Sequence, residues 1–159
     1  MGKKKTPKTR ALRALDAAGV AYGLHPYDYV PRGGTRASSE ALGVDEHVVV
    51  KTLVFEAEGK PVVVLMHGDR QVSGKALARH LGVKTAQPAD PVVAERHSGY
   101  QVGGTSPFGT RKPLPVVVQQ TVLEFGRVYV NGGRRGLLVA LDPRAFVDVL
   151  GAVPADVAQ

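Results

Sequence analysis

The sequence contains no cysteine among its 159 residues. Disulfide bonds, thiolate metal sites and cysteine nucleophiles are therefore excluded, and a reducing compartment is the expected setting. No apolar run approaches the ~18 residues that a membrane-spanning helix needs, and no apolar segment follows the basic N-terminus as in a secretory signal. These absences predict a cytoplasmic protein that makes no use of a membrane.

Aromatic residues are few, five Tyr and four Phe, and they are not interleaved with basic residues. The stacking platform of an RNA-recognition module is therefore not predicted. The five histidines do not follow metal-binding spacings, and no pair of carboxylates stands out for acid–base catalysis. The loop around Ser106 matches neither a Walker A motif nor a nucleophile elbow. We predict no metal, no cofactor and no protein nucleophile.

Positive charge is in excess, with a formal net charge of +7 and a pI of about 9.9. This balance favours a polyanionic partner, most commonly nucleic acid, although a solubilising tail and solvated loop tips would give the same composition. The basic residues cluster at 1–8, which we predict to be a flexible arm. Further basic pairs stand at Arg111/Lys112 and Arg134/Arg135.

The hydrophobic pattern predicts one domain over residues 9–152. Its clearest strands lie within 46–66, two β-branched runs joined by a turn around Gly59. Hairpin strands interspersed with short helices favour an α+β fold. We predict a single compact domain in which a curled, mixed or antiparallel, barrel-like sheet is surrounded by short helices. The tail after residue 152 is expected to fray.

Two stretches carry polar chemistry. Lys51 interrupts the run V-V-V-K-T-L-V-F, so its side chain either reaches solvent from an edge strand or points into a pocket. Residues 98–115 (S-G-Y-Q-V-G-G-T-S-P-F-G-T-R-K-P-L-P) are too rich in glycine and proline for regular structure, and they predict either a binding loop or a long surface turn. Main-chain N–H groups of such a loop could stabilise an oxyanion and orient an ester.

The sequence resembles the YbaK/EbsC-type aminoacyl-tRNA deacylases, which are related to the editing insertion domain of bacterial prolyl-tRNA synthetases. The resemblance covers roughly residues 20–150 and rests on V-V-K-T-L-V-F, then A-D-P-x-V-A-E-R-x-S-G-Y-x-V-G-G-T-S-P-F-G, then Y-V-N-G-G-R-R-G-L. It implies trans-editing, in which the ester between a wrong amino acid and the 3′ end of tRNA is cleaved, usually in Cys-tRNA(Pro). The implied partner is aminoacyl-tRNA, with tRNA(Pro) favoured and a prolyl-tRNA synthetase left open.

The resemblance also implies site residues. It places Lys51 near the terminal adenosine and assigns binding of the aminoacyl carbonyl to the backbone of Gly103 and Gly104, so these three are the expected catalytic residues. In cysteine-specific members the substrate's own thiol attacks the ester and gives a cyclic thiolactone, so no protein nucleophile is required. The expected substrate-binding residues are Tyr27, Thr52, Thr105, Ser106, Asn131 and Leu138.

Two positions depart from the cysteine-specific relatives, which carry a serine where Asn131 stands and an aspartate where Leu138 stands. The departures leave a deacylase, acting as a hydrolase or a lyase, as the leading hypothesis, but they leave its amino acid open. The alternative is a non-catalytic module that keeps the same fold to bind tRNA or a synthetase. In either case we expect the arm at 1–8 to contact the tRNA backbone.

Overall fold

The computed structural model describes residues 8–159, so all of the predicted basic arm except Lys8 lies outside the described residues. Within them the chain forms five α-helices: α1 (Arg10–Ala17), α2 (Gly34–Leu42), α3 (Gly74–Leu81), α4 (Pro91–Ser98) and α5 (Arg144–Leu150). The eight strands are β1 (Gly23–Pro26), β2 (Val49–Ala57), β3 (Lys60–His67), β4 (Ala86–Pro88), β5 (Val116–Gln119), β6 (Val128–Asn131), β7 (Leu137–Leu141) and β8 (Val153–Ala155). Short 3₁₀ helices occupy Glu46–Val48 and Gln120–Glu124.

All eight strands belong to one mixed sheet, in the order β1-β7-β6-β2-β3-β5-β8, with β4 paired to β2 off this path. The β2–β3 hairpin is antiparallel and forms the centre, and its two outer neighbours, β6 and β5, run parallel to β2 and β3 respectively. The prediction of a single α+β domain around a mixed sheet is confirmed. None of the helices within 8–159 is long and apolar enough to cross a membrane.

The central strands are buried on both faces. Along β3, Val63 and Leu65 pack into one apolar cluster with α1 and α5, whereas Val62, Val64 and Met66 pack into a second cluster with α3. This alternation follows from the two-residue period of a strand, and it explains why β2 and β3 read as continuous apolar runs.

Local signals set most of the helix boundaries. The Thr9 hydroxyl accepts the Leu12 N–H at 3.1 Å, and the Ser73 hydroxyl accepts the Ala76 N–H at 3.1 Å, so these two residues are the N-caps of α1 and α3. Gly82 ends α3 with φ of 70°, a left-handed conformation that glycine adopts without steric cost. Helix α2 ends in the same way, at Gly43 with φ of 69°.

The expectation that the tail frays is wrong. Strand β8 pairs in parallel with β5, Val157 is fully buried, and the Val157 N–H donates to Gln119 Oε1 at 2.7 Å. The sequence pattern does not predict β8, because the strand has only three residues and one of them is Pro154. It forms because the edge of β5 offers main-chain partners.

Candidate active site

A cleft of about 980 Å³ opens along β2 and is bounded by residues 27–38, helix α4, the loop at 102–105 and the ends of β6 and β7. Seven of the nine predicted site residues line it: Tyr27, Lys51, Thr52, Gly103, Thr105, Asn131 and Leu138. Residues from all three motifs of the resemblance, and Tyr27, therefore meet around one cavity although they are distant in sequence. Gly104 and Ser106 do not line the cleft.

Lys51 lies in the wall of this cleft. Strand β2 lies inside the sheet, between β3 and β6, and the half-buried side chain of Lys51 lines the cavity just beyond the last residue of β2 that pairs with β6. Of the two alternatives that the sequence left open, the pocket is the one the structure has. Burial lowers the pKa of the Lys51 ammonium below its ordinary value, and the carboxylates of Glu46 and Asp69 oppose that shift.

The two adjacent glycines of the loop, Gly103 and Gly104, have different surroundings. Gly103 is exposed, has φ of 89°, and a Cβ there would stand 2.7 Å from the Tyr29 hydroxyl, so only glycine fits beside that ring. Gly104 is buried against the backbone of Arg134 and Arg135, and its N–H donates to Gln101 O at 2.8 Å. The Gly104 N–H is therefore already used inside the loop.

Ser106 has a supporting position below the loop. It is fully buried, and its hydroxyl oxygen accepts the Phe108 N–H at 3.1 Å. Such a hydrogen bond two residues along the chain fixes a turn. Ser106 is thus placed to hold the shape of the segment behind the cleft.

Asn131 and Arg135 brace the loop from the β6–β7 connection. Asn131 Nδ2 donates to Gly103 O at 3.1 Å, while Asn131 Oδ1 accepts the N–H groups of Gly133 and Arg134. Arg135 Nε donates to Val102 O at 2.9 Å, and its guanidinium lies 5.0 Å from the centre of the Tyr29 ring. The polar atoms of Asn131 are therefore occupied by the backbone that carries the loop.

Helix α1 holds the other end of the same loop. The Arg10 guanidinium donates to Gly99 O at 2.7 Å and lies 5.0 Å from the centre of the Tyr100 ring. The buried Tyr100 hydroxyl donates to Phe108 O at 2.6 Å. Fixed at both ends, the loop presents Gly103 and Thr105 to the cleft in a preorganised conformation.

The remaining predicted residues form the apolar end of the same wall. Tyr27 N–H donates to Gly136 O at 2.9 Å, and burial raises the pKa of the Tyr27 hydroxyl. Leu138 is buried in β7, where it pairs with Asn131 of β6. Sequence reasoning missed Tyr29, Arg32 and the site role of Arg135; the spacing of Tyr29 two residues after Tyr27 is a signal that could have found the first.

The lining contains hydroxyl, amide, ammonium and guanidinium groups but no carboxylate, histidine or thiol from residues 8–159. No group of three or more metal-ligating side chains occurs in this part of the chain either. The arrangement suits binding and polarising an ester, with the attacking atom supplied by water or by the substrate itself.

A family model described as the aminoacyl-tRNA editing domain matches residues 33–149. The chain is 29% identical over 160 residues to a protein of Enterococcus faecalis assigned as a Cys-tRNA(Pro)/Cys-tRNA(Cys) deacylase, EbsC, with 99% of this chain and 98% of that protein covered. It is also 36% identical over 104 residues to the proline–tRNA ligase of Nitratidesulfovibrio vulgaris, which covers 65% of this chain and 17% of the ligase.

Two solved structures share the fold. One, of a protein described as hypothetical, has a TM-score of 0.87 at 27% identity and covers 94% of this chain and 99% of that one. Another, assigned as a trans-editing enzyme for prolyl tRNA synthetase, has a TM-score of 0.86 at 23% identity and covers 98% of this chain and 99% of that one.

Proposed function

The chain belongs to the aminoacyl-tRNA editing domain family, and on that premise we propose that it removes cysteine from Cys-tRNA(Pro)-type substrates in trans, in the cytoplasm. The general activity is that of an aminoacyl-tRNA deacylase, which cleaves the ester between an amino acid and the 3′ end of tRNA. The observation that supports the finer proposal is the cleft, which gathers seven of the predicted residues and whose lining holds no carboxylate, histidine or thiol from residues 8–159.

In this proposal Lys51 positions the 3′ end of the tRNA, and the loop polarises the ester carbonyl. Gly103 and Gly104 were the expected donors; because the Gly104 N–H is bonded to Gln101 O, the donors that remain are the N–H groups of Gly103 and Thr105. Within residues 8–159 neither of these two has a hydrogen-bond partner. Donors held by a braced loop lose little free energy to reorganisation when charge develops on the carbonyl oxygen.

The ester bond then breaks between the carbonyl carbon and the ribose oxygen. If the substrate's thiol attacks, its proton ends on the ribose hydroxyl and the amino acid leaves as a cyclic thiolactone. If water attacks, the free amino acid leaves. Tyr27, Asn131 and Leu138 shape the pocket in both cases, with the Asn131 amide holding Gly103 in place.

The proposal is tested by deacylation of Cys-tRNA(Pro) and Ala-tRNA(Pro) side by side, with Lys51→Ala as the control. Turnover of the cysteinyl ester alone supports the proposal and thiol-assisted release. Turnover of the alanyl ester requires water as the nucleophile and would replace cysteine as the proposed amino acid. Turnover of neither would overturn the Cys-tRNA(Pro) proposal. Adding prolyl-tRNA synthetase to the same assay tests whether that protein is a partner.

A further inference from the structure

The sheet is interrupted beside the cleft. On the edge of β2 that faces away from β3, β6 pairs with Val49 and Val50, and β4 pairs with residues 55–57. Between these two neighbours, residues 51–54 have no strand partner on this edge within the part of the chain that the structure describes. All four of these residues line the cleft.

The strand alternation identifies which main-chain groups face the interruption. Val49 O accepts the Gly68 N–H on the β3 side, whereas Val54 O accepts the Ala89 N–H at 2.9 Å on the opposite side. Because main-chain groups alternate in direction along a strand, Thr52 presents its N–H and C=O on the same side as Val54. Neither group of Thr52 has a main-chain partner there among residues 8–159.

The Thr52 side chain is a second, independent indication of a ligand at this position. Its hydroxyl oxygen is the one buried side-chain polar atom within residues 8–159 that has no hydrogen-bond partner. An unsatisfied buried hydroxyl lowers the stability of the folded state, and a ligand that supplies a partner removes this cost. Thr52 thus brings an unpaired main-chain N–H, an unpaired carbonyl oxygen and an unpaired hydroxyl group to a single position in the cleft wall.

We propose that this interruption binds the aminoacyl group of the substrate as the missing residue of the neighbouring strand, an inference that rests on the proposed deacylase function. An aminoacyl ester carries the same N–Cα–C=O unit as a residue in a chain. Directly opposed residues of an antiparallel pair exchange two hydrogen bonds. The substrate's α-amino group donates to Thr52 O, with Oγ1 as a second acceptor after rotation about χ1. The ester carbonyl oxygen has two lone pairs, and it accepts the Thr52 N–H in addition to the N–H of the loop.

The charges of the cleft agree with this assignment. No carboxylate from residues 8–159 lines the cavity, and the nearby carboxylate of Glu46 already accepts the Thr35 hydroxyl. The acceptors that Thr52 offers are therefore the natural partners of the α-amino group. Thr52 would bind the α-amino and carbonyl groups, which every amino acid has. Other lining residues would then select the side chain of the substrate's amino acid.

The experiment compares esters that differ only in the α-amino group: cysteinyl- against 3-mercaptopropionyl-tRNA, and alanyl- against propionyl-tRNA. Each enzymatic kcat/KM is divided by the uncatalysed rate of the same ester, because the amino group itself activates the carbonyl. We expect the normalised value to fall at least ~10-fold when the amino group is absent. Equal normalised values would overturn the proposal.

Variants separate the side chain from the fold. Thr52→Val removes the unpaired hydroxyl at nearly constant shape, so we expect an unchanged or raised Tm and a loss of turnover, by roughly 3- to 10-fold, for the amino-bearing esters alone. Thr52→Ser should restore turnover. Thr85→Val, at an exposed position outside the cleft, is the matched control. Equal losses for both kinds of ester would show a structural role and overturn the assignment of Oγ1 to the α-amino group.

Binding keeps this inference distinct from the proposed function. Non-hydrolysable analogues, adenosines that carry the amino acid or its deaminated counterpart through a 3′-amide, are titrated against the wild-type chain. Tighter binding of the amino-bearing analogue supports the proposal even if no ester is turned over. Equal affinities, or no binding of either analogue, would overturn it whether or not the chain is a deacylase.

Discussion

The β2–β3 hairpin carries polar side chains into two regions that differ in how completely their polar atoms are paired. At His67, Nδ1 is 2.7 Å from His47 O and Nε2 is 2.7 Å from Thr121 Oγ1. The imidazole also stacks on His47, with ring centres 3.8 Å apart. In the cleft, by contrast, the buried hydroxyl of Thr52 has no partner from residues 8–159, and the Lys51 ammonium faces the cavity.

The hydrogen bonds of His67 define its protonation. A carbonyl oxygen only accepts, so Nδ1 carries a proton, and in the neutral imidazole the Thr121 hydroxyl donates to Nε2. Burial lowers the pKa of the imidazole and favours this neutral form. Lys51 interrupts an apolar run and His67 ends one, but His67 is a buried residue whose ring nitrogens are both paired, whereas Lys51 lines the cleft. The pairing of polar atoms, which the sequence does not display, distinguishes them.

The largest effect on turnover is expected for Lys51→Ala. If Lys51 positions the 3′ end as proposed, removing its ammonium should lower kcat/KM by about 100-fold or more, while the free energy of unfolding changes by less than about 1 kcal/mol. Single-turnover deacylation and chemical denaturation measure the two quantities. Lys75→Ala, at an exposed position on α3, is the control. Wild-type turnover in the Lys51→Ala variant would contradict a role for Lys51 in deacylation.

The largest effect on stability is expected for His67→Ala. The substitution leaves a cavity and deprives His47 O and Thr121 Oγ1 of a partner, so the free energy of unfolding should fall by about 2–4 kcal/mol. Turnover per folded molecule should stay near the wild-type value. Denaturant titration checks the first expectation, with the exposed His80→Ala as the control. A stable but inactive His67→Ala variant would place His67 in the site instead.

A smaller loss of turnover is expected at Arg135. Arg135→Lys keeps the charge but removes the Nε donor to Val102 O and the planar group over Tyr29. We expect kcat to fall by about 10-fold through a less ordered loop, with little change in Tm. The partner variant Asn131→Ala, which frees Gly103 O, should behave in the same way and combine with Arg135→Lys less than additively. If the effects of the two substitutions on kcat were fully additive, Arg135 and Asn131 would not act through the same loop.

The pH dependence of stability should also separate the two regions. The folded-state pKa of His67 is lowered, so the stability it contributes is present above its unfolded pKa of about 6.5 and is lost as pH falls toward the folded value. His67→Gln, which cannot take up the proton, should flatten the decline of the unfolding free energy below that pH. An identical decline in the variant would show that other groups set the acid limb.

The smallest effect is expected from deleting residues 1–8. If the basic arm contacts tRNA phosphates, its loss weakens binding and reduces the slope of log K against log salt by roughly 0.7–0.9 per contact. Filter binding across a salt series measures the slope, and turnover at saturating tRNA should not change. A slope equal to that of the full chain would rule out the arm as a contact.

Features encoded locally were predictable from the sequence. The β2–β3 hairpin, the caps at Thr9 and Ser73, and the glycine-rich loop each rest on residues close together in the chain. Strand β8 was missed because its pairing with β5 joins residues about 36 apart.

The resemblance named Asn131, which lines the cleft, but could not show that its amide is bonded to Gly103 O and to the following turn. The interruption at Thr52 depends on where two other strands end, β6 at Asn131 and β4 at Pro88. Neither property is a pattern in any single segment. Both follow from tertiary geometry that the sequence does not display.

The two end strands of the sheet, β1 and β8, are short and each carries a proline, Pro26 and Pro154. Proline withdraws a hydrogen-bond donor from an exposed edge, which discourages another molecule from adding a strand there and so protects the chain against edge-to-edge aggregation. The unpaired backbone at Thr52 lies instead within a cleft. The surrounding elements leave room there for a small ligand and block pairing with a strand from another molecule.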